Sequence, residues 1–251
     1  KVVMNKEYFI KNGFLKFQLD DVHSLIDEIN SDLNWHWNNL KVPQNVPNSE
    51  IQQTWLDQGI MRIQDAWKCF ESIHSIAKLN QITCILLDLY GSMPLPFQTL
   101  NFLFGTEQSI HSDSVHFNSE PFRQMCGVWL ALEDIECDQG PLFYYPKSHT
   151  LPELNNEILD FEISTENYPF IVNYWKKVVN EKMYTQELAI LKKGECIIWD
   201  GNLLHGGMNH EDKNKTRKSM VTHFYFEGSK PWRPLTSSPR HRDYFEPEWI
   251  N

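Results

Sequence analysis

Ser109-Ile110-His111-Ser112-Asp113-Ser114-Val115-His116 carries a histidine and an aspartate two residues apart. The stretch reads as a β-strand running into a loop. On a strand, residues i and i+2 face the same side with Cα atoms about 6.5–7 Å apart. An imidazole nitrogen and a carboxylate oxygen at that separation can meet at one metal ion. Mixed nitrogen and oxygen donors suit Fe(II) better than a thiolate-seeking metal, and two histidines with one carboxylate on a single face form the non-haem iron arrangement. His111 and Asp113 therefore call for a second histidine from elsewhere.

Gly194-Glu195-Cys196-Ile197-Ile198-Trp199-Asp200-Gly201-Asn202-Leu203-Leu204-His205-Gly206-Gly207 answers that need. It reads as a buried strand, a turn, and a histidine flanked by glycines that let backbone come close to a bound group. A jelly roll makes the kind of long return that brings His205 beside His111. Beyond a polar loop, 209–216, Arg217 opens another strand whose alternation sets Arg217, Ser219 and Val221 on one face. A guanidinium inside a barrel has to be paired, because a lone buried charge is costly. A small dicarboxylate satisfies it with a two-pronged hydrogen bond.

The rest of the chain supports a β core. From Pro94 onward short strands alternate with Gly, Pro and Asn turns: Phe97–Phe104, Gln108–Asp113, Gln124–Glu133, Pro141–Tyr145, Glu195–Asp200 and Arg217–Glu227. That pattern predicts a sandwich or closed jelly roll, and helices first with strands afterwards argue against a βαβ sheet. Residues 1–93 are expected to be mostly helical, with a helix over Val22–Leu33, a loop over Trp35–Ser49, a second helix over Gln64–Leu79 and a third over Ile82–Tyr90. The expected fold is mainly β with flanking α: a double-stranded β-helix (jelly roll, cupin-like) core over 94–150 and 187–230, with the N-terminal helices packed on it. Residues 151–186 interrupt the strands and read as an aromatic-rich insertion, helical near Ile171–Val179, that packs on the barrel or closes over the site as a lid. The whole of 1–251 is expected to be a single domain.

Composition narrows the function. Of 251 residues 41% are hydrophobic, and nine are Trp, enough for a sizeable core. The net charge of −10 argues against nucleic acid or an anionic membrane as the main partner, without constraining a small ligand. Five cysteines, odd in number and widely spaced, show no zinc pattern. Three lie in apolar runs and read as reduced core residues, so the expected compartment is cytoplasmic. No apolar run approaches the ~18 residues of a membrane span, and no signal-peptide pattern is read.

With these residues in place, the chain resembles the phytanoyl-CoA dioxygenase family of Fe(II)- and 2-oxoglutarate-dependent oxygenases. His111-Ser112-Asp113 matches the family's His-x-Asp motif and His205-Gly206-Gly207 its distal histidine. Arg217 falls where the family places the arginine that grips 2-oxoglutarate. Gly140-Pro141-Leu142 with Pro146-Lys147-Ser148-His149 resembles its Gly-Pro-Leu…Pro-Gly-Ser-His segment, and Trp129–Asp134 fits the pattern just before it. The resemblance covers Phe97–Glu227 well. Lys147 stands in for a glycine, and Gly207 lacks the hydroxyl some relatives place there.

The resemblance implies His111, Asp113 and His205 as iron ligands, with 2-oxoglutarate and O2 in the open positions. It implies release of succinate and CO2 and hydroxylation of a C–H bond. The family's substrates range from acyl-CoA to amino acids and osmolytes. The acidic balance, which disfavours a polyanionic acyl-CoA, makes a small polar metabolite the expected one. Relatives that halogenate replace the aspartate by a small residue, so Asp113 favours hydroxylation, with desaturation and ring closure the other outcomes left open. Asn101 resembles an asparagine that supports the cosubstrate in some members, with Gln98 a further cosubstrate contact. His116 and Ser114 are candidate substrate contacts, His116 reading equally as a solvated loop residue. His149 reads as a structural loop residue. The rival readings are a non-redox cupin-type binding protein or isomerase, which leaves Arg217 unexplained, and a zinc hydrolase, for which no HExxH or paired-metal pattern is present.

Overall fold

The computed structural model describes residues 6–39, 62–212 and 214–251, with residues 35–39 described by backbone alone. Strand β5 (Met125–Ala131) is buried along its whole length, and its two faces belong to different cores. Cys126, Val128 and Leu130 pack outward with Ile26 and Ile29 of α2 (His23–Asn39) and Leu86 of α4 (Asn80–Tyr90). Trp129 and Ala131 pack inward with Leu100, Ile197, Trp199 and Val221. A two-residue alternation thus divides one apolar run between a helix-covered face and the barrel interior.

The main sheet has six antiparallel strands in the order β1 (Phe14–Gln18), β8 (Glu195–Asp200), β5, β10 (Ser219–Phe226), β3 (Pro94–Phe102), β2 (Arg62–Gln64). A three-stranded sheet runs β7 (Glu187–Leu188), β6 (Leu142–Tyr144), β9 (His205–Gly207). With the main sheet it makes the expected jelly roll. A further sheet, β12 (His241–Tyr244), β11 (Lys230–Ser238), β4 (Asn118–Glu120), extends past the core predicted to end near 230. Its prolines and polar residues gave no alternation to read.

The N-terminal region, expected to be mostly helical, also contributes two strands. Helix α1 (Lys6–Asn12) ends at Gly13, whose φ of +81° turns the chain into β1. Phe14, Leu15 and Phe17 bury themselves as β1 pairs with the open edge of β8. The helix expected over Gln64–Leu79 is shorter, since α3 spans only Glu71–Ala77. Asp65 stops it from starting earlier. Its backbone is left-handed (φ 54°), and its carboxylate accepts from the Thr99 amide and the Trp67 indole. Arg62–Gln64 instead pair with β3. Helix α2 continues to Asn39 where a loop was expected from Trp35, and the remainder of that loop lies outside the described residues.

The insertion holds α5 (Asn156–Leu159) and α6 (Tyr168–Glu181), which buries Ile171, Val172, Trp175, Val178 and Val179 on one face. All five cysteines are free, and two, Cys126 and Cys196, are buried rather than three. No helix among the described residues is long and apolar enough to cross a membrane.

Candidate metal centre

Residues 108–113 do not form the strand expected of them. A single antiparallel bridge joins His111 to His205, the first residue of β9, and Asp113 opens a 3-10 turn over 113–115. The bridge is nevertheless sufficient. His111 N–H donates to the His205 carbonyl (2.8 Å) and His205 N–H to that of His111 (2.9 Å). Residues paired this way present their side chains on the same face, and the imidazole centroids lie 4.3 Å apart. Gly206 is needed for this approach, because a Cβ there would lie 2.7 Å from the Gln108 carbonyl oxygen.

Both rings are fixed by one device. His111 Nδ1 lies 2.9 Å from the Ser109 carbonyl and His205 Nδ1 2.9 Å from the Leu203 carbonyl. A carbonyl only accepts, so each Nδ1 carries the proton and each Nε2 presents its lone pair. Both Nε2 atoms lie 3.6 Å from the same oxygen, Asp113 Oδ1. The ligand atoms of the three residues fall within 4.8 Å of one another and all three residues are buried, a set able to hold a metal ion. Burial acts to raise the Asp113 pKa. Interactions with His205, His111 and His223 outweigh it and hold the carboxyl well below the usual carboxylate range. Burial, followed by the neighbouring His111, lowers His205 to about 4, leaving a neutral imidazole ready to coordinate.

The second oxygen of Asp113 is occupied. Trp199 Nε1–H donates to Oδ2 at 2.7 Å, and His223 Nε2 lies 3.5 Å from the same atom. His223 Nδ1 in turn meets Gln98 Oε1 at 3.1 Å, where β10 and β3 pair just before a β-bulge. This leaves Oδ1 facing the histidines. Neither Trp199 nor His223 was singled out from sequence. The signal for His223 was the parity of β10, which puts it on the same face as Arg217 and Val221. Trp199 gave none, since an inward-facing indole reads as core.

These groups line a cavity of about 300 Å³ together with Arg217, Gln98, His116 and Arg62. Arg217 is 4% exposed. Its Nη2 donates to the Phe104 carbonyl at 3.0 Å, its Nε has no partner among the described residues, and the Trp129 and Phe102 rings flank it at 5.4 and 5.5 Å. No carboxylate among the described residues pairs with it. Burial lowers it to about 10, with Glu133 pulling in the opposite direction. His210 fixes the loop ahead of it, accepting the Gly105 amide at Nδ1 and facing the Asp212 and Lys215 carbonyls with Nε2.

The remaining predicted contacts divide. Gln98 lines the cavity, as does His116, whose Nε2 sits 3.3 Å from the hydroxyl of Tyr168 in the insertion. Burial, then the adjacent His111, lowers His116 to about 4. Asn101 is corrected. It pairs with Met220 and Ile63, which belong to the helix-covered core, while Leu100 and Phe102 on either side face the cavity. Ser114 is corrected as well. Its hydroxyl is bound to Asn202 and Ser112 behind the metal centre and does not line the cavity. His149 is structural as expected, its Nε2 bonded to the Ile10 carbonyl.

Comparison with known proteins places this geometry in context. Phytanoyl-CoA dioxygenase domain-containing protein 1 of Mus musculus is 23% identical over 187 residues, 71% of this chain and 61% of the relative. The match thus spans less than two thirds of that protein's length. Among solved structures, the non-heme alpha ketoglutarate dependent carbocyclase SnoK from nogalamycin biosynthesis superposes with a TM-score of 0.72 at 12% identity, covering 97% of this chain and 93% of its own. The epimerase SnoN, in complex with Fe3+, alpha ketoglutarate and nogalamycin RO, gives 0.67 at 14%, covering 98% and 97%. At such identities these two structures establish the fold alone. The family model described as phytanoyl-CoA dioxygenase matches residues 41–219, which include both candidate histidines, the aspartate and Arg217. On that match over most of its length, the chain belongs to the phytanoyl-CoA dioxygenase family.

Proposed function

We propose that this protein is an Fe(II)- and 2-oxoglutarate-dependent oxygenase that hydroxylates a C–H bond of a small polar metabolite. One observation carries the reading: a buried His/Asp/His set and a buried arginine with no acidic partner among the described residues open onto the same cavity. His111, Asp113 and His205 would hold the iron, and Arg217 would take the distal carboxylate of 2-oxoglutarate. The free Nε of Arg217 fits that role, since a buried donor without an acceptor is otherwise costly. When bound, the iron and cosubstrate supply oxidation of an unactivated C–H bond, with succinate and CO2 as co-products.

The chain's own part is placement. Ser109 and Leu203 carbonyls orient the imidazoles, Trp199 and His223 hold Asp113 by its second oxygen, and Trp129 and Phe102 keep the arginine flanked by apolar rings. Tyr168 supports His116 from the insertion, which favours a role for residues 151–186 in shaping the substrate end. Neutral polar side chains in the cavity lining, among them Thr106 and Gln108, suit a small polar substrate.

Titrating 2-oxoglutarate into Mn(II)-loaded protein tests the reading against a non-redox binding protein or isomerase. Saturable binding that requires the metal is expected, and its absence sinks the proposal. A screen of small metabolites for stimulated succinate formation then identifies the substrate. Hydroxylated product is expected, and a cyclised or epimerised product would replace hydroxylation while keeping the cofactors.

A further inference from the structure

Among the described residues, the cavity lining holds two arginines and a single carboxylate, Asp113, in a chain whose net charge is −10. Arg217 lies at the buried end. Arg62 lies on β2, where its pairing with Phe102 puts its side chain on the cavity face of the main sheet. It is exposed, and among the described residues its side chain makes no ion pair or hydrogen bond. It shares the cavity lining with His116.

We propose that Arg62 anchors a carboxylate on the primary substrate, which is therefore a small monocarboxylate. The assignment rests on the oxygenase reading and follows from charge balance. With ferrous iron and dianionic 2-oxoglutarate in place, the two charges of the metal and the one of Arg217 are cancelled by Asp113 and the cosubstrate. Among the described lining residues, Arg62 is the positive charge left over. Asp65, three residues along the chain, is engaged elsewhere, its carboxylate accepting the Thr99 amide and the Trp67 indole. One substrate carboxylate restores neutrality and offers the two-oxygen geometry that a guanidinium binds best. A phosphate monoester or a coenzyme A thioester brings more negative charge than the site leaves open. A neutral or amine-bearing compound leaves Arg62 unanswered.

Paramagnetic line broadening tests this on anaerobic protein loaded with Mn(II) and 2-oxoglutarate. The probes are a panel of small monocarboxylates, each matched with its primary amide, its phosphorylated analogue and its amine. Carboxylates are expected to be broadened by the metal, with the amides weaker by about ten- to a hundredfold for loss of a charge-assisted pair. Arg62→Gln should weaken the carboxylates by a similar factor, and Arg62→Lys by less, with thermal unfolding confirming that both variants fold. Equal binding of amides and acids, a preference for phosphates, no broadening of any acid, or undiminished acid binding in Arg62→Gln would each overturn the assignment. The 2-oxoglutarate signals in the same samples separate the two levels. If they are not broadened, the oxygenase reading fails and this one with it. If they are and the acids are not, only the role of Arg62 fails.

Discussion

The two faces of the main sheet are made by the same strands and obey different rules. On the outer face Cys126, Val128, Leu130, Cys196, Ile198, Met220 and Phe224 meet the helices. On the inner face Trp129, Ile197, Trp199 and Val221 share the interior with Arg217, His223 and Gln98. Burial alone explains the first set, since each large apolar side chain contributes about 1.5–3 kcal/mol. It does not explain the second, because buried polar groups are unfavourable unless paired. Some are paired with each other, and Arg217 still has an open donor. Apolar uniformity on one side and tolerated polarity on the other mark which face serves stability and which serves chemistry. Thr99 Oγ1 and the Asn101 amide are exceptions, buried without a partner among the described residues, and nothing in the structure explains them.

The sharpest break between the faces is Asp113→Ala. Fe(II)-dependent decarboxylation of 2-oxoglutarate should fall to background and Mn(II) binding, followed by electron paramagnetic resonance, should disappear. Retained turnover would remove Asp113 from the centre. Next in size is Arg217→Ala, which should raise the KM for 2-oxoglutarate by one to several orders of magnitude, given about 2–5 kcal/mol for a desolvated charge pair. An unchanged KM in steady-state kinetics would return Arg217 to a purely structural role.

On the outer face, Ile198→Ala should destabilise the fold by about 2–5 kcal/mol in urea unfolding while activity per folded molecule is kept. Loss of activity without loss of stability would erase the distinction between the faces. Trp199→Phe deletes the N–H on Asp113 Oδ2 and shrinks a buried side chain. Metal affinity should drop about 10–100-fold along with a loss of stability of about 1–3 kcal/mol. Stability loss with unchanged metal affinity would make Trp199 core only. Ser114→Ala has the smallest expected effect. It should lower stability by about 1 kcal/mol through its lost hydrogen bond and leave the substrate KM alone. A raised substrate KM would put Ser114 back among the substrate contacts.

What could be read locally was read well. β8 was bounded as Glu195–Asp200, matching the structure, because its apolar run ends abruptly at Gly201. Helix α4 and most of β5 followed from periodicity in the same way. Strands β1 and β2 were missed because each is short and owes its existence to an open edge, β8 for one and β3 for the other. A strand that depends on a distant partner's hydrogen bonds leaves little trace in its own residues.

The sequence by itself determined which residue types could make the centre: His111 and Asp113 two apart, His205 among glycines, and Arg217 at the head of an apolar strand. It also determined the family, through motifs in fixed order. Only the tertiary structure decided sides and neighbours. Alternation says that Asn101 and Leu100 point opposite ways, but not which of them looks into the barrel, since that depends on which face the helices cover. The same holds for Trp199 and His223 on Asp113, and for Arg62 across from Phe102. These are meetings between strands far apart in the chain, and register between strands is set by the packing of the whole sheet.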